Sequence, residues 1–215
     1  MIITIDGPAG AGKSSVAKLL AARLGFRFLD TGAMYRAVAL AGMRKGLDWD
    51  RPGDLAELAK QIELRVEGER IFLDGEDVSA AIRTTDVTAV TRYAADNPAV
   101  RAQLVALQRR TAAGRNIVTE GRDQGTVAFP DAECKIFLTA GPEERARRRL
   151  DELLAKNEPV TLEQVLAAQN RRDREDQSRS VGPLRPAFDA LEVRTDGLSL
   201  EKTVDKLEAI VHEKM

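Results

Sequence analysis

Ile2, Ile3 and Ile5 open the chain as a β-branched run, I-I-T-I-D, that ends at a glycine-containing turn. From Lys13 onward apolar residues recur at Val16, Leu19, Leu20 and Leu24, a helical spacing, so the opening reads strand, loop, helix. Gly25 suits the position just past a helix end, F-R-F-L-D at 26–30 resumes a strand, and Thr31 and Gly32 open a helical pattern through Arg44. The loop L-D-W-D-R-P-G-D at 47–54 leads into a helical D-L-A-E-L-A-K-Q-I. Two alternating runs, E-L-R-V and R-I-F-L, then flank Glu67, Gly68 and Glu69, which predicts a small hairpin over 64–74. Residues 86–114 read as two helices, with Asn97 as N-cap and Pro98 as first residue of the second. N-I-V-T-E at 116–120 and E-C-K-I-F-L-T at 133–139 have the short apolar form of parallel-sheet strands. Segments 142–156 and 161–179 are helical and dense in Arg, L-E-V-R-T at 191–195 is a last strand, and 199–213 is a terminal amphipathic helix. Strands separated by helices predict an α/β protein with a doubly wound parallel sheet, the hairpin being a small β insert.

Composition narrows the chemistry. Of 215 residues 43% are hydrophobic and 31% charged, enough apolar material for one core with inserts. Lys plus Arg number 33 against 34 Asp plus Glu, a net charge of −1, so bulk charge points to no nucleic acid and no membrane surface as partner. A single Cys and a single His exclude a disulfide or a structural zinc site within the chain. Cys134, in the apolar run C-K-I-F-L, reads as a buried small hydrophobe, and His212, in the terminal H-E-K-M, as part of a solvated helix end. No apolar stretch approaches the roughly 18 residues of a membrane span, and the chain opens on a strand pattern rather than a leader, so a cytoplasmic protein is expected.

Gly7-Pro8-Ala9-Gly10-Ala11-Gly12-Lys13-Ser14 satisfies G-x-x-x-x-G-K-[ST] between a predicted strand and a predicted helix, which is the context a phosphate-binding loop requires. The glycines let backbone N–H groups turn in around phosphates, and the start of the helix lends its positive dipole end. ATP or GTP binding follows, with Gly7 to Ser15 as the nucleotide contacts, Lys13 on the β- and γ-phosphates and the Ser14 hydroxyl on Mg²⁺. The N-K-x-D string with which GTPases generally read guanine does not occur, and I-V-T-E at 117–120 lacks the long apolar lead of a motor ATPase. A kinase for a phosphorylated acceptor needs a second anion site. Arg36, after D-T-G-A-M-Y, and Arg122, in E-G-R-D, both follow strands at the edge where such sheets bind ligands. The Arg cluster at 145–149 and R-R-D-R-E-D-Q-S-R at 171–179 suit a lid that brings positive charge to a transferring phosphoryl group. Pattern alone leaves open surface arginines in solvated loops at 36 and 122, and a charged helix face over 171–179.

The chain as a whole resembles the bacterial cytidylate kinases, P-loop nucleoside monophosphate kinases. The resemblance rests on I-T-I-D-G-P-A-G-A-G-K-S at 3–14, L-D-T-G-A-M-Y-R at 29–36, G-E-D-V-S-A-A-I-R-T at 75–84, E-G-R-D-Q-G-T-V-A-F-P-D-A at 120–132 and R-D-R-E-D-Q-S-R-S-V-G-P-L at 172–184. It implies a five-stranded sheet of P-loop kinase type with a core at about 1–35, 115–145 and 190–215, a CMP-binding insert at about 36–114 and a lid at about 146–185. It implies transfer of the γ-phosphoryl group of MgATP to CMP or dCMP by a monomer, with Lys13, Arg36, Arg122 and Arg172 as the catalytic charges. Thr31, Arg36 and Arg122 would hold the CMP phosphate, Arg101, Asp123 and Arg179 the cytosine, and Arg172 and Asp176 the ribose. Asp123 accepting from the cytosine N4 amino group, with Arg101 or Arg179 donating to O2 and N3, is a pattern that uracil does not match. Three positions depart from the family pattern. Glu120 stands in T-E-G-R-D where A-D-G-R-D is usual, Arg92 stands beside Thr91 where a small hydroxyl residue is usual, and Gln124 replaces an apolar residue. Arg83 matches a basic position of the insert. A kinase of the same architecture for UMP, AMP or a non-nucleotide acceptor, and a non-enzymatic ATP-dependent switch, are the competing readings.

Overall fold

A computed structural model describes residues 1–155 and 157–215. The elements in chain order are β1 (Ile2–Asp6), α1 (Lys13–Leu24), β2 (Arg27–Asp30), α2 (Thr31–Arg44), α3 (Pro52–Gln61), β3 (Leu64–Glu67), β4 (Arg70–Leu73), β5 (Glu76–Asp77), α4 (Thr85–Ala95), α5 (Pro98–Ala112), β6 (Ile117–Gly121), β7 (Cys134–Thr139), α6 (Pro142–Leu154), α7 (Leu162–Ser178), β8 (Leu191–Arg194) and α8 (Leu200–His212). The main sheet has five strands in the order β2-β6-β1-β7-β8, a doubly wound parallel α/β arrangement. The chain divides into two units, one made of 1–27 and 116–215, the other of 28–115.

In the first unit β1 is flanked by parallel partners on both sides, with Ile3 opposite Val118 of β6 and Cys134 of β7. A strand so placed is covered on both faces, and Ile3, Thr4 and Ile5 are fully buried among Leu20, Ile136, Leu138 and Leu207. Cys134 belongs to this core, as its apolar context predicts. Gly25 closes α1 in the left-handed conformation (φ 65°), and its N–H donates to the Ala22 carbonyl at 3.3 Å. The predicted helix 142–156 runs to Leu154, and Lys156 lies outside the described residues. Thr161 and Gln164 form a reciprocal capping box at the head of α7.

The second unit packs α2 against α4 and the small sheet. Ala37, Leu40, Leu58, Ile71, Leu73, Val78, Ile82 and Val87 form its core. Asn97 caps α5 through the Ala99 and Val100 N–H groups, with Pro98 first in the helix. The predicted hairpin is present, Leu64 pairing with Leu73, and a third strand joins it, Phe72 pairing with Asp77 of β5. Two residues with no apolar alternation carry no periodic signal, which is why β5 escapes the pattern. Helix α3 begins at Pro52, two residues ahead of the predicted start, because proline is at home in a first turn whose N–H needs no partner. Among the described residues no helix is long and apolar enough to cross a membrane.

Candidate functional site

The strand β1 delivers the chain into the loop at Gly7, where a side chain has no room: a Cβ there would lie 2.0 Å from the Leu138 carbonyl oxygen. Gly12, at φ 83°, is the left-handed N-cap of α1, so the first free N–H groups of that helix face the loop. Lys13 folds back, its Nζ donating to the Pro8 carbonyl at 2.8 Å. Burial, with the Arg122 charge and more weakly that of Arg172, pushes the Lys13 ammonium down to about 7, against the pull of Glu120 and Asp176. The Ser14 hydroxyl donates to Glu120 Oε1 at 2.8 Å. A hydroxyl and a carboxylate are the hard oxygen donors that Mg²⁺ takes when phosphates and water complete its shell. Among the described residues there is no cluster of three or more His, Cys, Asp or Glu that could hold a metal ion. Glu120 thus meets the predicted metal residue, Ser14, and its extra methylene relative to Asp still leaves it in reach.

After β6 the segment E-G-R-D carries Arg122 and Asp123 into the same unit. Arg122 Nε donates to Asp176 Oδ2 at 2.7 Å, and Arg179 is paired with Asp176 Oδ1 at 2.5 Å. Burial alone would raise the Asp176 carboxyl, but Arg122 and Arg179, aided by Arg172, hold it below the usual carboxylate range. Asp123 is buried, and its neighbours are set by Asp6 at the end of β1. Asp6 accepts the N–H groups of Gln124 at 2.8 Å and Gly125 at 2.7 Å, opening a π-helical turn over Gln124–Ala128. Burial lifts Asp6 to about 6, opposed by those two hydrogen bonds and assisted by the charge of Asp123. Gln124, the polar residue at an apolar family position, is buried with its amide oxygen accepting from the Thr119 hydroxyl at 3.1 Å.

The second unit holds Thr31, Arg36 and Arg101. Thr31 is the buried first residue of α2, and Asp30 caps that helix by accepting the Ala33 N–H at 2.8 Å. Asp30 also pairs with Arg36 at 3.2 Å and Arg83 at 3.3 Å. Among the described residues the buried Arg36 Nε has no acceptor, which leaves a donor for an incoming anion. Arg101 is buried beneath its own helix start, donating to the Ala95 carbonyl at 3.1 Å with its guanidinium 5.5 Å from the Tyr35 ring centre. Arg92 lies over Tyr93, 4.7 Å from its ring centre, and donates to its hydroxyl at 2.9 Å, while Tyr93 stacks on Trp49.

The residues named from the sequence therefore divide. Gly7 to Ser15, Arg122, Asp123, Arg172, Asp176 and Arg179 belong to the first unit, and Thr31, Arg36 and Arg101 to the second. Asp6 is given no role by the sequence, and Arg145 and Asp173, which lie in the Arg-dense segments read as a lid, are not foreseen as a pair; their guanidinium and carboxylate meet at 2.7 Å. Asp6 stands next to the loop in sequence, but only the fold shows that it serves the 122–125 segment.

A family model described as "Cytidylate kinase" matches residues 3–213. The chain is 55% identical over 213 residues to a cytidylate kinase of Rhodopirellula baltica, covering 99% of this chain and 93% of that one. It is 52% identical over 215 residues to one from Pelotomaculum thermopropionicum (97% and 95% covered), and 46% identical over 215 residues to one from Mycobacterium leprae (100% and 96%). Among solved structures, a shikimate kinase from Bacteroides thetaiotaomicron superposes with a TM-score of 0.51 at 14% identity, covering 99% of this chain and 98% of that one, a likeness of fold. A phosphate loop closed on a buried lysine, an arginine cluster beside it and full-length matches at this identity lead to one conclusion: the chain belongs to the cytidylate kinase family.

Proposed function

We propose that the protein transfers the γ-phosphoryl group of MgATP to the 5′-phosphate of CMP or dCMP, giving ADP and CDP or dCDP. The observation that carries this is the concentration of charge in the first unit, where Lys13 feels Arg122 and Arg172 while Ser14 and Glu120 sit together. Two anions that repel must be held in line, and positioning plus charge neutralisation is the main catalytic demand. Gly7 to Ser15 wrap the donor phosphates with backbone N–H groups, and Lys13 releases Pro8 to take the β- and γ-oxygens. Ser14, with Glu120 behind it, would hold Mg²⁺, which when bound neutralises charge on the β- and γ-phosphates. The acceptor is already an anion, so no strong base is required.

In the first unit Arg122 is assigned to the acceptor phosphate and Arg172 to the transferring group and the ribose; in the second unit Thr31 and Arg36 are the residues the family resemblance assigns to a phosphate. In the first unit Asp123 accepts the cytosine amino group and Arg179 donates to the base; in the second unit Arg101 is the residue the family resemblance assigns to the base. Asp176 reaches the ribose through the lone pairs its two arginines leave. The unsatisfied Arg36 Nε supports the phosphate role, since a buried polar atom without a partner is costly unless a ligand supplies one. Segment 146–185 acts as the lid that excludes water, with a monomeric enzyme in the cytoplasm as the working unit. Incubation with MgATP and CMP, followed by ion-exchange separation of the nucleotides, tests the reading. ADP and CDP in equal amounts, with ADP formation negligible when CMP is omitted, are expected; ATP bound without CDP would establish the switch instead.

A further inference from the structure

The peptide of Ala9, in the phosphate loop, is gripped on both sides by two side chains from the Arg-rich helices. Arg145 Nη1 donates to the Ala9 carbonyl at 2.7 Å, and Asp173 Oδ1 accepts the Ala9 N–H at 3.3 Å. The two side chains are also paired with each other at 2.7 Å, with exposures of only 6% and 12%. Arg145 is fixed at its own helix, its Nε donating to the Ala140 carbonyl at 3.0 Å. One turn before Asp173, Gln169 anchors α7 to α6 by donating to the Pro142 carbonyl at 3.0 Å. The next residue, Gly10, is packed closely on these helices: a Cβ there would lie 3.0 Å from Gln169 Oε1 and 3.1 Å from Arg145 Cβ. One turn after Asp173, Asp176 holds Arg122 and Arg179. Residues three and four apart share a helix face, so one edge of α7 meets the phosphate loop at one point and the Arg122 segment at the next.

We infer that Arg145 and Asp173 are positioning residues for the ATP triphosphate: they act through the Ala9 peptide, fixing the loop in its anion-binding shape and tying that shape to the placement of α7. Neither side chain needs to touch the nucleotide. The charge balance favours this role. A lone arginine here would add positive charge to the loop but leave the Ala9 N–H unheld, and a lone buried aspartate would repel the phosphates. As a pair they cancel, and what remains is directional hydrogen bonding to the two peptide groups on either side of the Ala9 Cα.

The inference rests on the proposed binding of ATP at this loop, and the experiment separates the two. Titration calorimetry with Mg²⁺ and a non-hydrolysable ATP analogue is run on the wild-type chain, Asp173→Ala and Asp173→Asn, beside steady-state KM values for ATP and CMP. The expected result is a loss of analogue affinity of about tenfold or more for Asp173→Ala, a smaller loss for Asp173→Asn, which keeps an acceptor oxygen for the Ala9 N–H, and a KM for CMP within about threefold of wild type. A role in stability alone would lower Tm while moving neither the affinity nor the KM split, and that outcome overturns the inference. Should Asp173→Ala fail to fold, Asp173→Asn and Arg145→Lys decide in the same way: analogue affinity unchanged in both overturns the inference. A wild-type chain that binds no analogue overturns the nucleotide reading itself, and the inference with it.

Discussion

Asp176 and Asp30 each hold two guanidinium groups, but in different surroundings. The Asp176 side chain is 3% exposed between Arg122 and Arg179 at 18% and 11%, whereas Asp30 is 13% exposed between Arg36 at 22% and Arg83 at 57%. In the first unit the arginines are fixed beforehand by a desolvated carboxylate, the arrangement expected where charge must be waiting for a transition state. In the second unit the carboxylate also caps a helix, and of its two arginines Arg83 is largely exposed. Removing one partner of a buried pair strands the others in low dielectric, while removing one partner of a surface pair costs little. The contrast identifies Asp176 as the carboxylate on which the placement of Arg122 and Arg179 depends.

The largest effect tests the buried cation. Lys13→Ala is expected to lower kcat by about a thousandfold or more without lowering Tm, since the ammonium it removes is one that burial disfavours. Near-normal turnover in a steady-state assay would remove Lys13 from the chemistry. The same lysine sets a pH dependence. Its folded value near 7 is below the ordinary 10.5, so at pH 8 the free protein holds it largely neutral, and phosphates that favour the ammonium draw a proton on binding. ATP affinity should fall as pH rises past 7, and calorimetry in two buffers of different ionisation enthalpy should show proton uptake at pH 8; equal heats in both would refute it.

Next in size, Asp176→Asn is expected to destabilise the protein by about 3 kcal/mol in urea unfolding, since it leaves Arg122 and Arg179 without a buried anion. Asp30→Asn should cost less than about 1 kcal/mol, because asparagine still caps α2 and the lost pairs are partly solvated. Equal losses in the two variants would erase the distinction between the units. Arg179→Ala should raise the KM for CMP about tenfold or more with a smaller change in kcat, and an unchanged KM would take Arg179 away from the base.

Much of this was legible in the chain. The phosphate loop is local: seven consecutive peptides, their glycines and the helix that follows specify Gly7, Gly12, Lys13 and Ser14 without knowledge of the fold. Caps at Asn97, Thr161 and Ser199 are equally local. What the pattern leaves out is contact across long sequence separations. Asp6 and Gly125, or Ala9 and Asp173, come together only because β1 lies beside β6 and α7 packs on α6. A buried acid in R-R-D-R-E-D looks, as a string, like any member of a charged helix face. The π-helical turn at Gln124–Ala128 is a second case, since it follows from two backbone N–H groups captured by Asp6 rather than from the propensities of Q-G-T-V-A.

Acceptor choice tests the central claim most directly. With saturating MgATP, kcat/KM is measured by coupled ADP release for CMP, dCMP, UMP, AMP and GMP in separate reactions. The account predicts fast turnover with CMP and dCMP and at least about a hundredfold lower kcat/KM for UMP, because the proposed assignment of Asp123 and Arg179 to the base matches the cytosine edge and opposes the uracil one. Comparable turnover with UMP would contradict the base assignment at Asp123, Arg101 and Arg179, and the absence of acceptor-dependent ADP release would contradict the kinase itself.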